Sequence, residues 1–212
     1  MTALISLLGP VARVGSVIGK YYPTHKNIFP ESPNFVKTID TPNESHSSAV
    51  IQLECGITGT FHVDADTNLK DEAYFTISGT KGILHLDDVN VFGGTLTFQP
   101  NSLDYYNPAK PVVLWKFSPY EENARGLGLS DLADAVWNQR KPHTAGEMAY
   151  HVLEVLTGIL EGGKTGKLVD ISSTCKKTAP LETKKTGIKN IFNRGNVKEM
   201  LHFYRDILGT KE

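Results

Sequence analysis

Many of the features that assign a chain of 212 residues to a function class are missing from this one. Its two cysteines, Cys55 and Cys175, stand far apart and neither belongs to a CxxC pair. That excludes a disulfide-built scaffold and points to a reduced, cytoplasmic setting, with two free and buried thiols as the expectation. No run approaches the ~20 apolar residues that a membrane span requires. The apolar opening has no basic residue ahead of it and is broken by Pro10 and Arg13, so it does not read as a signal peptide. Charge of one sign is also lacking: 22 Lys and Arg meet 23 Asp and Glu, for a net charge of −1. Neither a nucleic acid nor an anionic membrane finds a basic surplus here. A Gly-rich phosphate-binding fingerprint is absent as well. Gly126-Leu-Gly128 comes nearest, but Asp131 stands where the third glycine belongs and no strand precedes it.

What is present is the composition of a globular protein, 40% hydrophobic and 21% charged, enough for one well-cored domain. The near-neutral total hides an asymmetry. Residues 176–212 carry nine basic and four acidic groups, a net of +5 against −6 for the rest. This break near Lys176 reads as a boundary, and the chain is taken as a main domain, residues 1–181, and a basic tail, residues 182–212.

The first residues, Thr2-Ala-Leu-Ile-Ser-Leu-Leu-Gly-Pro10, read as the second half of an amphipathic helix with Gly9 as its stop. No cap or preceding strand introduces it, so the chain is expected to be one part of a larger protein. Val11–Ile18 alternates like a strand, and residues 21–34 read as a loop. Short strand-like runs follow at 35–41, 49–54, 58–65, 73–78, 83–86 and 95–98, separated by Gly and Asn turn signals. Two helices come next. Ser130 caps the first, whose stripe is Leu132, Ala133, Val136 and Trp137. Thr144 and Glu147 form a capping box for the second, whose stripe is Met148, Val152, Val155, Leu156 and Ile159, with Gly162-Gly163 as its stop. A short strand at 168–171 closes the domain. The fold class is α+β: one open, mainly antiparallel sheet with helices on one face and no Rossmann domain.

These segments, in this order, resemble the C-terminal domain of the glucose-fructose oxidoreductase and inositol dehydrogenase (Gfo/Idh/MocA) family. The residues that carry the resemblance lie between Thr2 and Leu181. They are the opening Thr2–Val11 segment, Ser78-Gly-Thr-Lys-Gly-Ile-Leu84, Asp87-Asp-Val-Asn-Val-Phe-Gly-Gly94, Arg125-Gly-Leu-Gly-Leu-Ser-Asp131 and Gly146-Glu-Met-Ala-Tyr-His-Val-Leu-Glu154. The resemblance implies a Rossmann domain binding NAD or NADP in a full-length relative, followed by a second domain that shapes a sugar or polyol pocket and builds the oligomer through its sheet. The Glu-Lys-Pro segment that holds the family's catalytic lysine is absent, and no catalytic or cofactor-binding residue is carried over onto this chain. It is therefore read as the substrate-binding and oligomerisation domain of an NAD(P)-dependent sugar or polyol oxidoreductase, inactive alone. The alternative is a non-enzymatic module that self-associates or captures a small polyol.

Thr60-Phe-His-Val-Asp-Ala-Asp66 alternates strictly, which sets Thr60, His62, Asp64 and Asp66 on one face and Phe61, Val63 and Ala65 on the other, toward the helices. That polar face suits a solvated or subunit-facing surface, contact with polyol hydroxyls, or a metal. With no second ligand cluster visible, no metal is assigned. His62, Asp64 and Asp66, together with His25 in the 21–34 loop, are the candidate substrate contacts. The expected partners are a second copy of the chain on the open sheet face and a sugar or polyol, with neither nucleic acid nor membrane.

Gly158–Thr165 spells the P-loop pattern GxxxxGK[ST], but a helix leads into it and a strand leads out, the reverse of a phosphate cradle. His151 reads as a packed, hydrogen-bonded structural residue. Arg125, Arg140 and His143 read as helix-end and inter-element partners. In the tail, Phe203-Tyr-Arg-Asp-Ile-Leu-Gly209 resembles the opening strand-helix unit of the glyoxalase (vicinal oxygen chelate) superfamily. The place that often supplies a metal histidine there is Asn190, and the tail is read as a remnant or fusion scar.

Overall fold

The computed structural model describes residues 1–66, 74–91, 93–102, 106, 108–117 and 126–177. The tail and Arg125 lie outside the described residues, and with them the glyoxalase resemblance. Two compact units emerge. In their described parts the first comprises residues 1–66 and 144–177, and the second residues 74–91, 93–102, 106, 108–117 and 126–143. The expectation of a single sheet gives way to three among the described residues. The local pattern shows where strands lie but carries little information on which strands pair.

In the first unit, helix α1 (Thr2–Leu8) ends at Gly9, whose N–H donates to the Ile5 carbonyl and whose φ of 104° suits a residue without Cβ. Strand β1 (Val11–Gly19) follows, as its alternation predicts. The 21–34 stretch is not wholly loop: β2 (Thr24–Lys26) pairs antiparallel with β3 (Thr38–Asp40), His25 opposite Ile39. The Pro and Asn residues that read as loop flank this short ribbon and form its turn. Strand β4 (His46–Leu53) begins three residues before its apolar run, and β5 (Thr58–Asp64) completes a hairpin with it.

Helix α3 (Gly146–Thr165) leads to β10 (Val169–Asp170), which pairs with β1. The sheet order is β10-β1-β4-β5, all antiparallel. Helix α3 lies against one face of it. The core is Ile5, Val11, Val14, Ala49, Ile51, Leu53, Met148, Val155 and Ile159. Burying a side chain such as Val155 or Ile159 contributes about 1.5–3 kcal/mol each.

Two details of α3 differ from expectation. Its N-cap is Ala145, with no side-chain cap, because Thr144 stands one residue too early for the capping box. The helix also runs through Gly162 and Gly163 and stops at Gly166, which adopts the left-handed conformation at φ 68°. Those inner glycines serve packing instead. A Cβ on Gly163 would lie 2.6 Å from Ile18 Cγ2, and one on Gly158 would lie 3.0 Å from Ile171 Cδ1. The helix comes close to the sheet only because these positions are bare.

The second unit holds a meander of β6 (Phe75–Gly79), β7 (Gly82–Leu86), β8 (Gly94–Pro100) and β9 (Val112–Phe117). Strand β9 was not anticipated: its apolar run lacks alternation and follows directly on Pro108-Ala-Lys-Pro111. Helix α2 (Gly126–Trp137) begins before Ser130, so that serine lies inside the helix and is not its cap. The stripe expected to be buried is largely exposed, Trp137 at 87%. The buried positions are Asp131 and Ala135. Among the described residues, no helix is long and apolar enough to cross a membrane.

Candidate functional site

The face of the first unit's sheet that is turned away from α3 is built by alternation. On β4, Ala49, Ile51 and Leu53 are buried toward the helix, so His46, Ser48, Val50 and Gln52 stand on the opposite side. The register carries this across strands, with Val17 opposite Ser48, Ser48 opposite His62, and His46 opposite Asp64. Val17 (72% exposed), Val50 (56% exposed) and Leu168 give the open face an apolar middle. One end carries the Arg13–Asp170 ion pair at 2.6 Å. The other end carries a cluster of imidazoles and carboxylates.

That cluster includes His62 and Asp64 on the face where alternation expects them, and adds His46, which sequence reasoning missed. One nitrogen from each histidine and one Asp64 oxygen lie within 4.8 Å of one another. The His46 and His62 rings meet edge to face at 4.9 Å, and Tyr21 meets His46 in the same manner at 5.5 Å. The Ser48 hydroxyl lies 2.9 Å from His62 Nδ1. Asp64 Oδ1 accepts the Asp66 N–H at 2.8 Å, and Asp64 Oδ2 lies 3.7 Å from His46 Nδ1. The signal for His46 was available: the alternation of β4 extends back through Ser48 to His46.

Asp66 and His25 come together as a second pair. Asp66 follows β5, and its largely buried side chain accepts the Ser45 hydroxyl at 2.6 Å and faces His25 Nε2 at 3.1 Å. His25 is delivered by the β2–β3 ribbon, with Tyr22 edge-on at 5.9 Å. The four candidate substrate residues thus form two neighbouring groups, His62 with Asp64 and His25 with Asp66. On β5, Phe61 packs against the core as expected, whereas Val63 is substantially exposed.

Other singled-out residues have structural work. His151 is wholly buried. Its Nε2 accepts the Val11 N–H at 3.0 Å and its Nδ1 meets the Ser173 hydroxyl at 2.9 Å, an arrangement that selects the Nδ1–H tautomer. One turn on, Glu154 takes both amides and the hydroxyl of Ser172-Ser173. Hydrogen bonds from Ser172 and Ser173, the Ser172 hydroxyl foremost, hold its carboxyl down at about 2.

In the second unit, Arg140 Nη2 reaches Asp131 and Asp134, each at 2.6 Å, and His143 Nδ1 lies 2.6 Å from Asp131. Burial alone would raise the Asp131 carboxyl. The hydrogen bonds from Arg140 and His143 outweigh it and leave the carboxyl below its ordinary value. These bonds explain Arg140 and His143 as helix-end partners. Gly158–Thr165 is continuous α-helix, not a phosphate loop. Cys55 is exposed and Cys175 half-buried, so the expectation of two buried thiols fails for Cys55. Cys55 sits in the tight turn that joins β4 to β5, where side chains face outward.

No protein-family model matches the chain, and no curated protein matches it in sequence. Solved structures do resemble it. An NAD-binding oxidoreductase from Klebsiella pneumoniae is 14% identical with a TM-score of 0.61, the match covering 81% of this chain and 48% of that one. An aldose-aldose oxidoreductase from Caulobacter crescentus, complexed with glycerol, is 18% identical with a TM-score of 0.56, over 80% of this chain and 44% of that one. A levoglucosan dehydrogenase in complex with NADH and L-sorbose is 15% identical with a TM-score of 0.61, over 81% and 48%. The likeness is one of fold, and the chain spans about half the length of the structures it matches.

Proposed function

We propose that this chain is the substrate-binding and oligomer-forming part of an NAD(P)-dependent sugar or polyol oxidoreductase of the Gfo/Idh/MocA type. The observation that carries the reading is the fold likeness over about four-fifths of the chain to oxidoreductases whose ligands include glycerol and L-sorbose. The five sequence motifs, in the family's order, support it independently. On this reading the nicotinamide is held by residues other than these, since a pyrophosphate needs glycine-lined backbone at a helix N-terminus. The chain alone then performs no hydride transfer, and it works in the cytoplasm. Its open sheet face, apolar in the middle and polar at both ends, meets a second copy of itself. His62 with Asp64, and His25 with Asp66, supply imidazole and carboxylate groups of the kind that bind polyol hydroxyls.

Two measurements on the chain test this. Titration with NADH and NADPH is expected to show no saturable binding; micromolar affinity near one equivalent overturns the division of labour. Light scattering coupled to size exclusion is expected to give at least a dimer, and a strictly monomeric mass overturns the role of the open face.

A further inference from the structure

We infer that His46, His62 and Asp64 form a binding site for a divalent first-row transition metal, with zinc as the best chemical fit. This goes beyond the oxidoreductase reading, which requires no metal. Two imidazoles and one carboxylate are a three-ligand set that zinc accepts, leaving a fourth position for water or a ligand. The three side chains come from adjacent antiparallel strands, His46 directly across from Asp64 and His62 across from Ser48. Paired strands fix such positions more firmly than a loop does.

Hydrogen bonds already orient two of the three side chains. Asp64 Oδ1 is occupied by the Asp66 amide, and its Oδ2 faces His46. The Ser48 hydroxyl holds His62 Nδ1 at 2.9 Å, the outer partner that commonly orients a metal-bound imidazole. His46 carries the strongest signal. Its Nδ1 is shut off from solvent with no hydrogen-bond partner, 3.7 Å from Asp64 Oδ2. A purely solvated polar face does not account for that nitrogen, because water does not reach it. A tetrahedral ion with bonds of about 2.0–2.1 Å needs donors about 3.3 Å apart. The donors lie within 4.8 Å, so side-chain rotations of about an ångström close the site, and His62 is exposed enough to make them.

Titration of the full chain with Co²⁺, read by visible absorption, tests the site. The expected result is an intense tetrahedral band that saturates at one ion per chain and is bleached by Zn²⁺. His62→Ala and Asp64→Asn are each expected to abolish the band and weaken zinc binding by more than about tenfold, whereas Ser48→Ala weakens it by about tenfold. Far-UV circular dichroism checks that the variants fold. If Asp64→Asn does not, His62→Ala decides alone, since His62 is exposed. Absence of the band in the unaltered chain overturns the assignment. So does binding that survives His62→Ala, which would place the ion on other surface histidines.

Discussion

His151 shows what one buried polar side chain holds in place. It answers the N–H of Val11 at the start of β1 and, through its other nitrogen, the Ser173 hydroxyl beyond β10. It thereby ties α3 to the start of β1 and to the segment that follows its sheet neighbour β10. His151→Phe keeps an aromatic ring, somewhat larger, at this position but leaves the Val11 N–H buried without an acceptor. The expected loss is about 1–3 kcal/mol of unfolding free energy, read from urea denaturation. His151→Ala adds a cavity and is expected to cost about 2–5 kcal/mol. The structural role of His151 was legible because it lies beside the apolar stripe of a clearly periodic helix. His46 was not read, because the strand containing it was started at Ala49, the first apolar residue. The grouping of His25 with Asp66 was likewise out of reach, since it depends on a three-residue ribbon with almost no periodic signal.

Among the elements, α3 was found with four of its five stripe residues in or against the core, whereas the face of α2 was misjudged. The buried positions of α3 are Met148, His151, Val155, Gly158, Ile159 and Gly162, so two glycines and a histidine belong to the inward face. A reading that counts only large apolar residues rotates the stripe toward Leu156, which is substantially exposed. Gly163 makes the close approach testable. An added methyl would meet Ile18 at its Cβ as well as its Cγ atoms, at 2.6–3.0 Å, and a branched strand residue cannot swing away as a flexible tip can. The higher helix propensity of alanine, about 1 kcal/mol, works in the other direction. Gly163→Ala is expected to destabilise by a net of about 1–2 kcal/mol, measured as a lower midpoint in thermal unfolding. In α2 the misjudgement has another cause. Asp131 tolerates burial because Arg140 and His143 satisfy it, and a long-range charge partner leaves no trace in local periodicity.

For the molecule as a whole, the α+β class and the antiparallel strands were legible, while the partition into separate sheets was not. Strand pairing is decided by long-range packing, whereas turns and alternation are local. The same limit applies to the open face, where Val17, Val50 and Leu168 come from three distant stretches of chain. Val17→Asp combined with Val50→Asp places charge at the centre of that face. Exposed positions cost little stability on substitution, within about 1 kcal/mol. The expected outcome is therefore a folded chain whose light-scattering mass falls to that of a monomer. An unchanged mass would place the association on a different surface.

The first unit is discontinuous in sequence: β1 finds its outer partner β10 only after residues 69–143 of the second unit have been threaded between them, Arg13 pairing with Asp170. This gives the unit a high contact order, and a synthesising ribosome exposes its sheet face long before the covering helix exists. The second unit's meander pairs neighbour with neighbour and has no such delay. Emerging chain is thus expected to settle from the middle outward, with the N-terminal strands depending on chaperones until α3 arrives.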